Sequence, residues 1–131
     1  MKSERINISS NTVWEDIVGY SRAVKIGPHI FISGTTATDE NGNIVGIDNS
    51  YIQTIQCIQN IERALQKVGA NLSHIVRTKI YAKNISDWEI IGKAHGEFFI
   101  NIKPATTMVE IKSLILPEML VEIEADAICY E

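Results

Sequence analysis

Only two of the 131 residues are cysteines, Cys57 and Cys129, and neither sits in a CxxC pair. A disulfide framework and a cysteine-based zinc site are therefore excluded, and both thiols are expected to be small apolar fillers. Basic clusters are also missing. The net charge is −4, with no run of Lys or Arg to track phosphates, so no nucleic-acid partner is expected. No apolar run approaches the length of a membrane helix, and the opening "MKSERINISS" is polar and unlike a signal peptide. A cytoplasmic protein with no membrane partner is the expectation. His29, His74 and His95 lack metal-ligand spacing, so no metal or other cofactor is expected. Trp14 and Trp88 are expected to pack internally, not to stack on bases.

What is present suits one globular domain spanning residues 1–131. Apolar residues make up 45% of the chain, and no repeat, low-complexity stretch or long linker interrupts it. "RINIS" (5–9) alternates like a strand, and "SSNTVWEDIVGYS" (9–21) reads as a loop. "RAVKIGPHIFISGTT" (22–36) reads as two strands hinged at Gly27-Pro28, and Asn41-Gly42 marks a tight turn. From about Ser50 to Val68, Ile52, Ile55, Ile58, Ile61, Leu65 and Val68 recur at helical spacing. Asp48, Asn49 or Ser50 can cap the start, and Gly69 suits the position after the end. "HIVRTKIYAKN" (74–84) reads as a strand. Ser86 and Glu89 form a capping-box pattern for a second helix running to Phe99, with His95 packed beneath it. Two strands follow, broken at Pro117. The order β-β-β-α-β-α-β-β predicts an α+β fold: a mixed sheet of about six strands with two helices on one face.

The last strand then presents two unlike faces. Val121, Ile123, Ala125 and Ala127 share the side under the helices, while Glu122, Glu124 and Asp126 share the other. In the preceding strand Thr107, Val109 and Ile111 are the core candidates, opposite Thr106, Met108, Glu110 and Lys112. An open face mixing Met108, Leu120 and Ile128 with carboxylates fits a surface shared between subunits. Arg77 is a candidate partner for Glu124 or Asp126.

Several strings in order resemble the RidA (YjgF) family of reactive-intermediate deaminases. "GYSRAV" (19–24) is similar to its GPYSxAV segment, and "IFISGTT" (30–36) to its strand ending in Ser-Gly. The stretch 58–88, "IQNIERALQKVGANLSHIVRTKIYAKNISDW", is similar to its helix, AG turn and strand. "KPATTMVEI" and "LVEIEADAI" resemble its PARSxVEV and VEIEAIA strands. The resemblance implies a chorismate-mutase-like fold, a homotrimer, and a small-molecule ligand held in a cleft between subunits. It also implies hydrolysis of an enamine or imine such as 2-aminoacrylate to a 2-keto acid and ammonia. Tyr20, Ser33 and Glu122 match its catalytic cleft positions, Glu122 being the residue that positions water or relays protons. Thr106, Thr107, Met108, Gly34 and Arg22 are the corresponding substrate-binding candidates.

This sequence departs from the family pattern twice. Thr106 stands where the family carries an arginine that clamps the substrate carboxylate, and Gly92 stands where it carries an asparagine. A guanidinium grips a carboxylate through two charge-assisted bonds, whereas a hydroxyl offers one donor and no charge. The loss amounts to roughly 1.5–3 kcal/mol. Arg22 and Lys25 lie near the cleft and are candidate replacement cations. The alternative is a trimer that binds or senses a neutral, hydroxyl-rich ligand without turnover. The ribonuclease activity sometimes attached to the family fits poorly with the acidic balance.

Overall fold

The computed structural model describes residues 4–130. Its strands are β1 (Arg5–Ile8), β2 (Ala23–Ile26), β3 (His29–Thr35), β4 (Ile75–Ala82), β5 (Ala105–Glu110) and β6 (Val121–Ile128). They form one sheet in the order β1-β2-β3-β6-β4-β5, antiparallel except for the parallel pair β4–β5. The helices are α1 (Val13–Val18), α2 (Ser50–Gln66) and α3 (Trp88–Phe99). The mixed six-stranded α+β architecture agrees with the sequence pattern, with one helix more than expected.

The additional helix is α1, in the stretch that reads as a loop. Thr12 and Glu15 are its capping-box residues, and Gly19 ends it in the left-handed conformation with φ 84°. Only Glu15 of its six residues is buried, so apolar periodicity gives no sign of it; the T-x-x-E spacing is the available signal. Conversely, Ser86 and Glu89 do not cap α3. A 3-10 turn at Ile85–Asp87 precedes that helix, with Asn84 accepting from the Ser86 N–H at 3.1 Å. Asp87 accepts from Ser50 Oγ at 2.8 Å and so ties the starts of α2 and α3 together.

Asn49 caps α2 by accepting from the Ile52 N–H at 2.9 Å. The buried stripe of α2 is rotated from the expected one. Ile52 is exposed, whereas Gln53 and Thr54 are fully buried with Cys57, Ile58, Ile61 and Leu65. Gln53 is satisfied there: its amide nitrogen donates to the carbonyls of Gly46 and Glu118, and its oxygen accepts from the Leu120 N–H. It thereby stitches α2 to the segment leading into β6. Cys57 is wholly buried, and burial pushes its thiol well up, as befits a filler. Trp88 is 56% exposed and is not the packing residue expected.

In β6 the alternation holds: Val121, Ile123, Ala125 and Ala127 are buried beneath the helices, and Glu122, Glu124 and Asp126 face the other way. In β5 the expected faces are inverted. Thr106 and Met108 pair in register with buried Thr78 and Ile80, so they lie on the helix side, and Met108 packs against the core. Val109 is 43% exposed on the open face. "TTMVEI" has an apolar residue on each alternation, so period two alone cannot choose a side. The choice is made by the parallel register with β4.

The open face carries Val24, Ile26 and Phe31 beside the β6 carboxylates, and Lys79, Arg77 and Tyr81 from β4. Arg77 pairs with Asp126 at 3.9 Å, and the Tyr81 hydroxyl donates to Glu124. Both members of the ion pair are more than 40% exposed, so Arg77→Ala is expected to change stability in urea unfolding by less than about 1 kcal/mol. Among the described residues, no helix is long and apolar enough to cross a membrane.

Candidate active site

Where β3 meets β6 the pairing slips. Ile32 faces Ala125 and Thr35 faces Ile123, so Ser33 and Gly34 form a bulge opposite a single residue. The bulge, the β1–α1 loop, the second half of α2 and the segment before β6 surround a cavity of about 650 Å3. Tyr20, Arg22, Gly34 and Glu122 all line it, as do Ser10, Trp14 and Met119.

Glu122 is half-buried and touches the bulge directly. A Cβ built on Gly34 would lie 2.6 Å from Glu122 Oε1, so glycine is required for close approach. Burial lifts the Glu122 carboxyl above its usual range; Arg22 opposes that shift and Glu124 adds to it. A carboxyl so placed holds its proton to higher pH than a surface glutamate and can serve as acid and then as base. Gly34→Ala is expected to displace the Glu122 side chain, which a crystal structure of the variant would reveal as a rotamer change.

Arg22, a candidate replacement cation near the cleft, does line the cavity, but as a buried group. It is 8% exposed, and four of its N–H groups are engaged. Nη1 donates to the Gly34 carbonyl at 2.6 Å and to Thr35 Oγ1 at 3.1 Å. Nε donates to Ser10 Oγ at 3.3 Å, and Nη2 to the Tyr20 hydroxyl at 3.3 Å, with the guanidinium 5.6 Å from the Tyr20 ring centre. Arg22 thus fastens the bulge to the tyrosine. Lys25 turns to the carbonyl of Gly27 in the β2–β3 turn, away from the cavity.

The remaining candidates are dispersed. Ser33 Oγ donates to the Ser21 carbonyl at 2.6 Å, which fixes the bulge and leaves its oxygen as an acceptor. Thr106, Thr107 and Met108 sit on β5 at the sheet edge, two strands from Glu122, and do not line the cavity. Thr106 Oγ1 lies 2.8 Å from Thr78 Oγ1 and 3.1 Å from the Pro104 carbonyl, and Thr78 in turn meets His95 Nε2 at 2.9 Å. Burial lowers the pKa of His95 and so favours the neutral imidazole on which this chain of hydroxyls ends; its ring is tilted 37° against Phe99, with centroids 4.5 Å apart. The expected packing of His95 with a satisfied ring nitrogen is found.

Ser10 lines the cavity and Glu15 lies behind it; neither is singled out by sequence. Glu15 is 5% exposed and accepts from Ser10 Oγ at 2.6 Å, Thr12 Oγ1 at 3.0 Å and the backbone N–H groups of Ser10 and Thr12. Burial by itself would raise its pKa; those hydrogen bonds outweigh burial and hold it down to about 2.

Comparison with known proteins agrees with this architecture. The family model described as endoribonuclease L-PSP matches residues 12–129. A RutC family protein of Pyrococcus abyssi is 37% identical over 109 residues, covering 82% of this chain and 84% of its own. The 3-aminoacrylate deaminase RutC of Acinetobacter baylyi is 27% identical, with 82% and 85% covered. Among solved structures, Rv2704 of Mycobacterium tuberculosis, a member of the YjgF/YER057c/UK114 family, superposes with a TM-score of 0.87. It is 44% identical, with 95% of this chain and 99% of that one covered.

Proposed function

The chain belongs to the RidA (YjgF) family, and from that membership we propose that it hydrolyses small enamines or imines to carbonyl products and ammonia. One observation carries the assignment: a desolvated Glu122 carboxyl, packed on Gly34, shares a cavity with Tyr20 and the Arg22 guanidinium. The 3-aminoacrylate deaminase activity named for the Acinetobacter relative supports the same reaction class.

In the proposed reaction the enamine takes a proton at its terminal carbon and becomes an iminium ion. Protonated Glu122 is the donor. The carboxylate so formed then accepts a proton from water as the water oxygen adds to the iminium carbon, which gives a neutral carbinolamine. Glu122 returns that proton to the nitrogen, the carbinolamine expels ammonia, and the hydroxyl proton passes back to Glu122 as the oxygen becomes the carbonyl. The net change is addition of one water and loss of one ammonia. Tyr20 donates to the substrate oxygen or nitrogen, and the positive charge of Arg22 favours an electron-rich group nearby.

The working unit is a homotrimer whose open sheet faces meet. This accounts for exposed Phe31, Ile26 and Val109 interspersed with Glu124, Asp126 and Lys79. In such an assembly the β5 edge with Thr106, Thr107 and Met108 is contributed to a neighbour's cavity. Sedimentation equilibrium tests the assembly; a monomer at micromolar concentration would remove it.

The chemistry is tested with 2-aminoacrylate generated in situ. Pyruvate should form faster with protein than without, and equal rates would refute the deaminase. A second function is favoured by one feature: the Thr106 hydroxyl is already committed to Thr78 and Pro104, so no charged clamp exists at that position. Under it the trimer binds a neutral metabolite without turnover. Selective thermal stabilisation by uncharged compounds, with no product formed, would identify that function.

A further inference from the structure

Three side chains that line the cavity, Ser10, Arg22 and Tyr20, form with Glu15 behind them a series whose proton directions follow from their chemistry. Arg22 Nε–H can only donate, and its partner is Ser10 Oγ at 3.3 Å. Ser10 has a single hydroxyl hydrogen, and its oxygen lies 2.6 Å from Glu15 Oε2. An ionised carboxylate only accepts. Ser10 therefore donates to Glu15 while accepting from Arg22. At the far end, Arg22 Nη2 donates to the Tyr20 oxygen at 3.3 Å. The tyrosine's own hydrogen has no acceptor among the described residues, and Tyr20 lines the cavity.

A capping role does not account for this series. Capping α1 requires only Thr12, whereas the shortest bond to Glu15 comes from Ser10, outside the cap. The four partners of buried Arg22 are all neutral atoms, and Glu15 is the carboxylate it reaches through a single hydroxyl.

We propose that the relay Glu15–Ser10–Arg22 holds Tyr20 as a one-way hydrogen-bond donor into the cavity, so that the ligand atom seated against Tyr20 is an acceptor. A carbonyl or carboxylate oxygen, or an imine nitrogen, meets that requirement; an ammonium or a saturated N–H does not. Glu15 and Ser10 are positioning residues that act through Arg22. The choice of ligand rests on the deaminase assignment, whereas the relay stands without it.

The test uses the full-length protein labelled with 15N at arginine. Hydrogen exchange of the Arg22 Nε–H is compared in wild type, Ser10→Ala, Ser10→Thr and Glu15→Gln, each first checked for a native amide spectrum. Exchange should be at least about tenfold faster in Ser10→Ala and in Glu15→Gln. Ser10→Thr, which restores the hydroxyl, should stay near wild type. Unchanged exchange in Ser10→Ala, or a Ser10→Thr variant as fast as Ser10→Ala, overturns the relay. Pyruvate and methylammonium are then titrated while the Tyr20 ring resonances are followed. Pyruvate should shift them, and Ser10→Ala should weaken that binding by about tenfold. A response to methylammonium alone overturns the donor direction. If neither probe binds while the Nε–H exchange still follows Ser10, the relay is supported and the deaminase assignment is what fails.

Discussion

Glu122→Gln is expected to reduce pyruvate formation from 2-aminoacrylate by about a hundredfold or more while leaving the protein more stable. The rate loss is the usual size for removing a positioned acid-base group. Gln can neither donate the proton that makes the iminium ion nor accept one from water. The stability gain follows from the carboxyl's raised pKa, due first to burial and then to Glu124, against the opposing charge of Arg22. A folded-state pKa above the unfolded value means the native structure disfavours the charged form. The penalty is absent at low pH and sets in as pH rises past the ordinary carboxylate range. Gln carries no charge, so the variant should unfold at higher urea than wild type at neutral pH, with the difference vanishing in acid. A structural glutamate would show the opposite: lost stability together with any lost activity. The same ionisation should appear as a falling limb in the wild-type rate as pH rises through the Glu122 pKa.

Glu15→Gln is expected to destabilise the protein by about 2–3 kcal/mol at neutral pH, among the larger effects of any single substitution away from the core. Glu15 is nearly inaccessible, and its pKa of about 2 lies well below its ordinary 4.5. Here the folded-state value is depressed, so the stabilisation is complete above the ordinary value and disappears as pH falls from about 4.5 towards about 2. Urea unfolding of wild type should weaken steeply across that window, and the variant's should not. The two curves should converge near its lower end. Protein concentration must be held constant, because assembly adds to apparent stability. Parallel acid limbs would show that the hydrogen bonds from Ser10 and Thr12 contribute little.

These two glutamates show what could be read along the chain and what could not. Glu122 was legible because it occupies one alternation of a strand whose other alternation is Val121, Ile123 and Ala125, and because the surrounding string resembles a known family. Glu15 was not, because its significance lies in Ser10 and Arg22, which meet it only after α1 and β2 are placed. Its T-x-x-E spacing was present, in the pattern assigned instead to Ser86 and Glu89. Local capping patterns are short, and tertiary packing decides which of them forms. Arg22 shows the same limit: its position suggested a cation near the cleft, but not burial against Gly34 and Tyr20.

By itself the sequence determined the order of the six strands and the two long helices, the α+β class, the buried side of β6 and the family, since all four follow from local periodicity, turn residues and matched strings. Only the tertiary structure decided the slip at Ser33–Gly34 that admits Glu122, the inversion of β5 that turns Thr106 towards Thr78, and the joining of Glu15 to Tyr20 through Arg22. Each of those depends on strand register or on contacts between segments distant in the chain. Such contacts carry no local period, and register is fixed only when the neighbouring strands and helices are packed together.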